Sequence, residues 1–318
     1  MFTASRKTVA VGIVALGLAA GLSACSSSDP LSSGPSTDPG SSASAAPKEI
    51  TIGAQFAGEG EILAQIYGQV LAANGYTVDY PTAPIGSRET FIPALKDGSI
   101  DLIPDYSGNL LYAEDPGATA TSADDVAAAL PAAVEKDGLA VLDTAPAEDA
   151  DSLVVTPEFS EKNGVTSIGD LAKLDGDFTI GANTEFESRP YGRDGLESVY
   201  GVTGWTFKAI DDYGGPGTLK DLLDDNIQVA DIYTTTPSVK ANNLVTLADP
   251  EHLIAAQNIV PLLSKAFATP EIADLLNPVS AKLTTDGLLD LNAAYAGDDK
   301  PSAASLATTW LTDNGFLS

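Results

Sequence analysis

Ala94-Leu95-Lys96-Asp97-Gly98-Ser99-Ile100-Asp101-Leu102-Ile103-Pro104-Asp105-Tyr106-Ser107-Gly108 holds a helix end, a buried strand and a strand-end loop in one short stretch. Residues 89–97 read as a short helix. Gly98 closes it, because glycine enters the left-handed conformation of a helix stop without a Cβ clash. Residues 100–103 read as a buried strand, and 104–108 as the loop at its carboxyl end. The same alternation continues outward. Residues 49–53 read as a strand. Ile62, Leu63, Ile66, Tyr67, Val70 and Leu71 then fall on one helical face, Asn74-Gly75 stops that helix, and 76–80 form a second strand. On the other side come an alanine-rich helix at 123–136 and a strand at 139–142. Further strands are expected at 152–156, 178–181, 205–209, 229–233 and 258–262. Helical stretches lie near 168–174, 192–200 and 219–224, and the C-terminal part is helical at 269–276, 284–294 and 302–314. Such alternation predicts an α/β fold with parallel or mixed sheets flanked by helices. Ligands of such sheets sit at the carboxyl ends of strands. The loops at 55–60, 86–89, 105–109, 182–191 and 233–236 are therefore the places to look for function.

The N-terminus carries a different signal. Arg6 and Lys7 precede an apolar run over residues 9–22, which is short for a membrane span and has the flanks of a secretory signal. It ends in Leu22-Ser23-Ala24-Cys25, which is similar to a bacterial lipobox. The expected chemistry is lipidation of the Cys25 thiol and cleavage before it, leaving residues 1–24 as signal peptide. Cys25 is the single cysteine, so no internal disulfide is possible. Residues 25–47 are rich in Ser, Pro, Gly, Asp and Ala and read as a flexible tether. These features predict a protein held outside the cell membrane by a lipid anchor.

Composition bounds the rest. Hydrophobic residues make up 44% of the chain, enough for a packed core, and the formal net charge is −28. Such a surface repels phosphate backbones, so nucleic acid is excluded as a partner. A cationic or zwitterionic ligand suits that field, although acidity also serves solubility alone. Catalytic constellations are thin. The single histidine, His252, stands in an Asp-Pro-Glu-His context that reads as surface. Zinc-protease, nucleophile-elbow and phosphate-loop motifs are absent from the sequence. Gly214-Gly215-Pro216-Gly217 carries no Lys-Ser/Thr and reads as a loop before a helix. No enzymatic activity, metal site or cofactor is expected.

The stretch at 94–108, together with Ile52-Gly53-Ala54-Gln55, Thr184-Glu185-Phe186-Glu187-Ser188-Arg189-Pro190-Tyr191-Gly192 and Asp231-Ile232-Tyr233-Thr234-Thr235, resembles the ProX/OpuC-type family of glycine betaine, carnitine and choline binding proteins of ABC importers. The segments come in family order over nearly all of the chain from Glu49 to Leu317. The resemblance implies a two-lobed periplasmic-binding-protein fold (type II, Venus flytrap). Lobe 1 would comprise residues 48–146 and 256–318, and lobe 2 residues 147–255, with the ligand in the cleft between them. It further implies a monomer that delivers its solute to a membrane permease and its ATPase.

By the same resemblance, Tyr106 and Tyr233 match cage tyrosines that hold a quaternary ammonium by its attraction to aromatic faces. Asn109 matches a polar ligand contact, Gln55 a position held by Lys or Gln, and Glu89 one where choline binders carry Asp. Arg189 matches an arginine that engages a ligand carboxylate or bridges the lobes. Two further cage tyrosines are expected near Asp151 and Gln257, where this chain is not aromatic. The family's Asp at the end of the third motif is Tyr191 here. Tyr191 and Phe56 are candidate replacement walls, and Asp151 and Glu89 candidate partners for a cation. With the cage so altered, the ligand is either a quaternary ammonium solute or a non-quaternary polar, sugar-like or phenolic one.

Overall fold

The computed structural model describes residues 48–318. The expected signal peptide, Cys25 and the tether lie outside the described residues. In chain order the elements are β1 (Glu49–Thr51), α1 (Glu59–Ala73), β2 (Thr77–Asp79), α2 (Arg88–Asp97), β3 (Leu102–Tyr106), α3 (Ser107–Glu114), α4 (Ala123–Glu135), β4 (Leu139–Val141), β5 (Leu153–Val155), α5 (Pro157–Asn163), β6 (Thr179–Ala182), α6 (Arg193–Tyr200) and β7 (Thr206–Ala209). They continue as α7 (Pro216–Leu223), β8 (Val229–Asp231), α8 (Pro237–Ala241), β9 (Val245–Thr246), β10 (Ile259–Ser264), α9 (Pro270–Ser280), α10 (Thr285–Ala296) and α11 (Ala303–Asp313). Short 3-10 helices occupy Ile168–Leu174 and Thr184–Ser188.

Two main sheets organise the molecule, and both carry antiparallel pairs. In the first, β10 lies between β3 and β4, antiparallel to each. The parallel pair β1-β2 joins it through a bridge from Ile52 to Leu102. In the second, the order is β7-β6-β8-β5-β9, with β6 parallel to β7 and β8, and β5 antiparallel to β8 and β9. Strand side chains alternate between faces, and here both faces are apolar. Leu102, Ile259 and Leu263 enter one core with α1, α9, α10 and α11, whereas Ile103, Val260 and Leu262 enter another with α2 and α4. In the second sheet Leu153, Val155 and Val229 point into one core, and Val154 and Ala230 into the opposite one. Burial on both faces explains why these strands read as continuous apolar runs. The chain leaves the first sheet after β4 and returns as β10. The two crossing segments run side by side, with Glu148 bridged antiparallel to Asn258.

Several local readings change. Pro104, Asp105 and Tyr106, expected in a loop, complete β3. Pro104 pairs with Pro261 of β10, so two residues without an N–H share a pair that needs no hydrogen bond between them. Helix α3 begins directly afterwards. Its buried residues include Ser107 and Gly108, which breaks the apolar periodicity by which helices are recognised. Helix α8 buries no residue at all and offers no pattern.

Gly195 in α6 allows a close approach. A Cβ there would lie 1.9 Å from the Pro190 carbonyl oxygen and 2.7 Å from Leu253 Cδ1. Helix propensity alone favours Gly195→Ala by about 1 kcal/mol. Contact with backbone reverses the sign, and a net loss of about 1–3 kcal/mol is expected. Urea unfolding measures it, and a Gly195→Ala variant as stable as the parent contradicts the packing argument.

Candidate functional site

Between the two sheets lies a chamber of about 610 Å³. Its walls come from strand ends and the loops after them, as the crevice rule for such sheets requires. The β1–α1 loop supplies Gln55 and Phe56, the end of β3 Tyr106, and the first turn of α3 Asn109. From the far sheet come Asn183 and Arg189 after β6, Tyr213 after β7, and Asp231 and Tyr233 from the end of β8. The first crossing segment adds Asp149 and Asp151.

Beneath the first wall, Arg88 and Asp105 form a bidentate ion pair, Nη2 to Oδ1 at 2.5 Å and Nε to Oδ2 at 3.2 Å. Their side chains are 8% and 0% exposed. Gln55 Nε2 and the Tyr106 N–H also donate to Asp105 Oδ1. Burial opposes the Arg88 charge, the Asp105 carboxylate outweighs it, and the guanidinium pKa is raised.

A second carboxylate, Glu59 at the start of α1, holds Tyr106 from behind. The Tyr106 hydroxyl donates to Glu59 Oε1 at 2.8 Å, and the Thr235 hydroxyl donates to Oε2 at 2.8 Å. Asn292 donates to the same Oε2. Glu59 therefore ties α1 and α10 to the loop after β8. On the opposite wall Tyr191 donates to Asp151 Oδ2 at 2.8 Å, and Asn109 Nδ2 donates to the same oxygen at 3.1 Å.

The aromatic rings form a row. Phe56 lies nearly parallel to Tyr106, with centroids 6.2 Å apart, and stacks on Tyr213 at 5.2 Å. Asn183 links two of the tyrosines: its Nδ2 donates to the Tyr233 hydroxyl at 3.3 Å and its Oδ1 accepts the Tyr213 N–H at 3.0 Å. Tyr213 has left-handed backbone, φ 56°.

Eight of the ten residues expected at the ligand line this chamber: Gln55, Phe56, Tyr106, Asn109, Asp151, Arg189, Tyr191 and Tyr233. Two do not. Glu89 is exposed on the first turn of α2, and its neighbour Arg88 turns inward instead. Gln257 is 1% exposed and sits behind Asn109, whose N–H it accepts at 3.0 Å. Gly108 permits that approach, since a Cβ would meet Ala256 O at 2.6 Å. Sequence reading missed Arg88, Asp149, Asn183, Tyr213 and Asp231 as wall residues. Tyr213 carried a usable signal, a strand end followed by Gly214-Gly215. Among the described residues no group of His, Cys, Asp or Glu is arranged to hold a metal ion, and no helix is long and apolar enough to cross a membrane.

Two wall carboxyl groups are unusual. Asp149 and Asp231 are 7% and 4% exposed, and burial pushes both well above the usual carboxylate range, aided by Glu59 beside Asp149 and Asp151 beside Asp231. Asp149 accepts the Thr235 N–H at 3.0 Å, whereas Asp231 Oδ1 is buried with no hydrogen-bond partner.

Two outcomes are expected. Asp105→Ala strands the buried Arg88 charge and should cost about 3–5 kcal/mol in chemical denaturation; a loss below about 1 kcal/mol, as for an exposed pair, contradicts this. The second concerns pH. A carboxyl group raised by folding stabilises the fold fully below its unfolded pKa, and that contribution is lost as pH rises through the folded value. Ligand-free protein should therefore lose melting temperature as pH rises from about 4 toward neutrality, and Asp231→Asn should flatten the slope. A parent curve that rises steadily over that window contradicts it.

The family model described as the substrate binding domain of ABC-type glycine betaine transport system matches residues 48–313. The glycine betaine-binding protein YehZ of Escherichia coli (strain K12) is 27% identical over 280 residues, which cover 84% of this chain and 91% of that protein. The solved structure of apo YehZ from Escherichia coli superposes with a TM-score of 0.61 at 26% identity, covering 84% of this chain and 99% of that one. A crystal structure of a glycine betaine/carnitine/choline ABC transporter superposes with a TM-score of 0.68 at 20% identity, covering 85% of this chain and 100% of that one. That likeness establishes the two-lobed solute-binding fold. The chain belongs to the family of substrate-binding domains of ABC-type glycine betaine transport systems.

Proposed function

We propose that the chain captures a quaternary ammonium solute such as glycine betaine, choline or carnitine in the chamber and delivers it unchanged to a membrane permease and its ATPase. The observation that carries this reading is the row of rings Tyr106, Phe56 and Tyr213, with Tyr233 across from it, in a chamber walled by carboxylates. A quaternary ammonium has no hydrogen to donate. It is held by aromatic faces, whose quadrupole attracts the charge and whose flat surface covers the methyl groups. Tyr106 and Tyr233 serve as cage walls in this reading, with Phe56, Tyr191 and Tyr213 completing the enclosure. Gln55 and Asn109 are the polar contacts, Asp151 supports the cation, and Arg189 is the candidate partner for a ligand carboxylate. The sugar-like or phenolic alternative is not favoured by a family model that describes glycine betaine transport.

In this reading residues 48–146 and 256–318 form one lobe and 147–255 the other, and the paired crossing segments act as the hinge. Closure is then a population shift set by ligand contacts to both lobes. The protein works as a monomer outside the cell membrane, tethered by residues 25–47 to a lipid on Cys25, and catalyses no reaction.

Calorimetric titration of the purified chain with glycine betaine and with choline tests the reading. At least one should bind, and Tyr233→Ala should weaken it by about 0.5–2 kcal/mol, roughly 2- to 30-fold. Absence of binding by both solutes, or an unchanged affinity in Tyr233→Ala, overturns the proposal.

A further inference from the structure

Two knots of polar side chains span the gap between the sheets, and they stand in different places. One lines the chamber: Asn109 donates to Asp151 Oδ2 at 3.1 Å and accepts from the Tyr191 hydroxyl at 3.2 Å. A solute arriving there meets these groups directly. The other knot, made of Glu59, Asn292 and Thr235, lies outside the chamber lining. The Thr235 hydroxyl donates to Glu59 Oε2 at 2.8 Å. Asn292 Nδ2 donates to the same Oε2, to the Thr235 hydroxyl oxygen at 3.1 Å and to the Thr235 carbonyl oxygen at 3.3 Å. Glu59 opens α1 and Asn292 belongs to α10, both packed on the first sheet, whereas Thr235 follows β8 of the second.

Thr235 is the centre of this second knot. It is 2% exposed, and its polar groups are used in opposite directions: the hydroxyl goes to Glu59, and the N–H to Asp149 Oδ1 on the first crossing segment at 3.0 Å. Glu59 is also buried, and its donors Tyr106, Thr235 and Asn292 are all neutral. A buried carboxylate held by neutral donors depends on each of them, because an acceptor stripped of a partner away from water is costly. Separation of the sheets takes the Thr235 hydroxyl away and leaves Tyr106 and Asn292 in place, since these belong to the same side as Glu59. The Thr235 contacts therefore favour approach of the two sheets whether or not the chamber is filled.

Resting on the solute-capture reading and the lobes proposed above, we infer that Glu59, Asn292 and Thr235 form a clasp that draws the lobes together before solute enters, and that these positioning residues set the affinity for every solute without touching any. A two-state balance shifts only through an interaction that differs between the two arrangements, and the Thr235 contacts to Glu59 and Asn292 belong to the approached arrangement alone. When a fraction of the molecules is competent to bind, the apparent dissociation constant is the intrinsic one divided by that fraction. A clasp that raises the fraction tightens binding by one common factor, whatever the solute. Residues of the chamber wall act differently. Their contacts depend on the shape and charge of the solute, so a change at the wall alters different affinities by unequal factors.

Calorimetric titration of the full chain with glycine betaine, carnitine and choline, in the parent, Thr235→Val, Thr235→Ser and Asn292→Ala, reads the clasp. Thr235→Val removes the hydroxyl at nearly constant volume, and ligand-free melting checks that the variant folds. It should weaken every solute that the parent binds by the same factor, about ten-fold. Thr235→Ser keeps the hydroxyl and should stay within about two-fold of the parent. Asn292→Ala should act in the same direction as Thr235→Val, and the double variant should fall short of the summed effects, since both changes act on one set of contacts. A second reading needs no solute. Amide hydrogen exchange of the ligand-free chain should quicken at residues 55–60 and 233–236, on the two facing walls, in Thr235→Val and not in Thr235→Ser, with the β3 and β6 amides unchanged. Parent affinity in Thr235→Val, unequal factors among the solutes, or a Thr235→Ser variant as weak as Thr235→Val overturns the clasp and leaves the quaternary-ammonium reading intact. If no solute binds the parent, that reading fails and the exchange alone decides: unchanged rates at 55–60 in Thr235→Val overturn the clasp, and quickened rates there uphold it.

Discussion

The buried Asp105 carboxylate is the contact on which the first wall of the chamber depends. It lies at the end of β3 with no exposed side-chain surface, and an isolated charge there would be strongly disfavoured. Arg88, Gln55 and the Tyr106 N–H together make the charge tolerable. The partners come from three separate elements, so satisfying one charge fixes three pieces of chain. Gln55 places the adjoining Phe56, Arg88 fixes the entry of α2, and the Tyr106 N–H sets the backbone from which the Tyr106 ring projects. Such a pair adds little net stability compared with a packed apolar core. Its consequence is geometric: the rings of that wall stand where Asp105 is neutralised.

Glu59 plays the matching part at the other end of the Tyr106 side chain. It is 5% exposed and opens α1, where the helix dipole favours a negative charge. It accepts from Tyr106 on one oxygen and from Thr235 and Asn292 on the other. Thr235 follows β8 of the second sheet, whereas Tyr106 ends β3 of the first. One carboxylate thus orients a ring of one wall and grips the loop that carries Tyr233 in the other. A movement that separates the sheets must break the Thr235 contact while leaving Tyr106 held, so ring orientation and sheet separation can change independently.

How much of this was legible in the sequence depended on the kind of signal. Strands buried on both faces, such as β3, β5 and β8, stood out as apolar runs, and α1 stood out by its spacing. Helices α3 and α8 did not, because one buries Ser107 and Gly108 and the other buries nothing. At the chamber, the residues found were those inside the family motifs or at the ends of recognised strands. Those missed depend on three-dimensional neighbours. Arg88 and Glu89 are adjacent and both charged, and what turns Arg88 inward is Asp105, seventeen residues further along. Gln257 occupies a position near the site, yet Gly108 lets the second crossing segment approach closely enough that the glutamine binds the Asn109 backbone from behind.

The two family departures at Asp151 and Tyr191 are best understood together. The resemblance leads one to expect a tyrosine near position 151 and an aspartate at position 191. This chain has the reverse, and the two side chains meet, with the Tyr191 hydroxyl 2.8 Å from Asp151 Oδ2. An exchange of residue types between touching positions keeps one aromatic ring and one carboxylate in the wall while moving each to the other's backbone. The Tyr191 ring now comes from the loop after β6, and the negative charge from the first crossing segment. Asn109 bonds both Asp151 and, at 3.2 Å, the Tyr191 hydroxyl, so the pair is anchored to the element that follows Tyr106. The carboxylate now sits on the segment that crosses from the first sheet to the second, beside the start of β5. Position by position, an aromatic wall is lost at 151; taken as a contact, the ring and the charge are both retained.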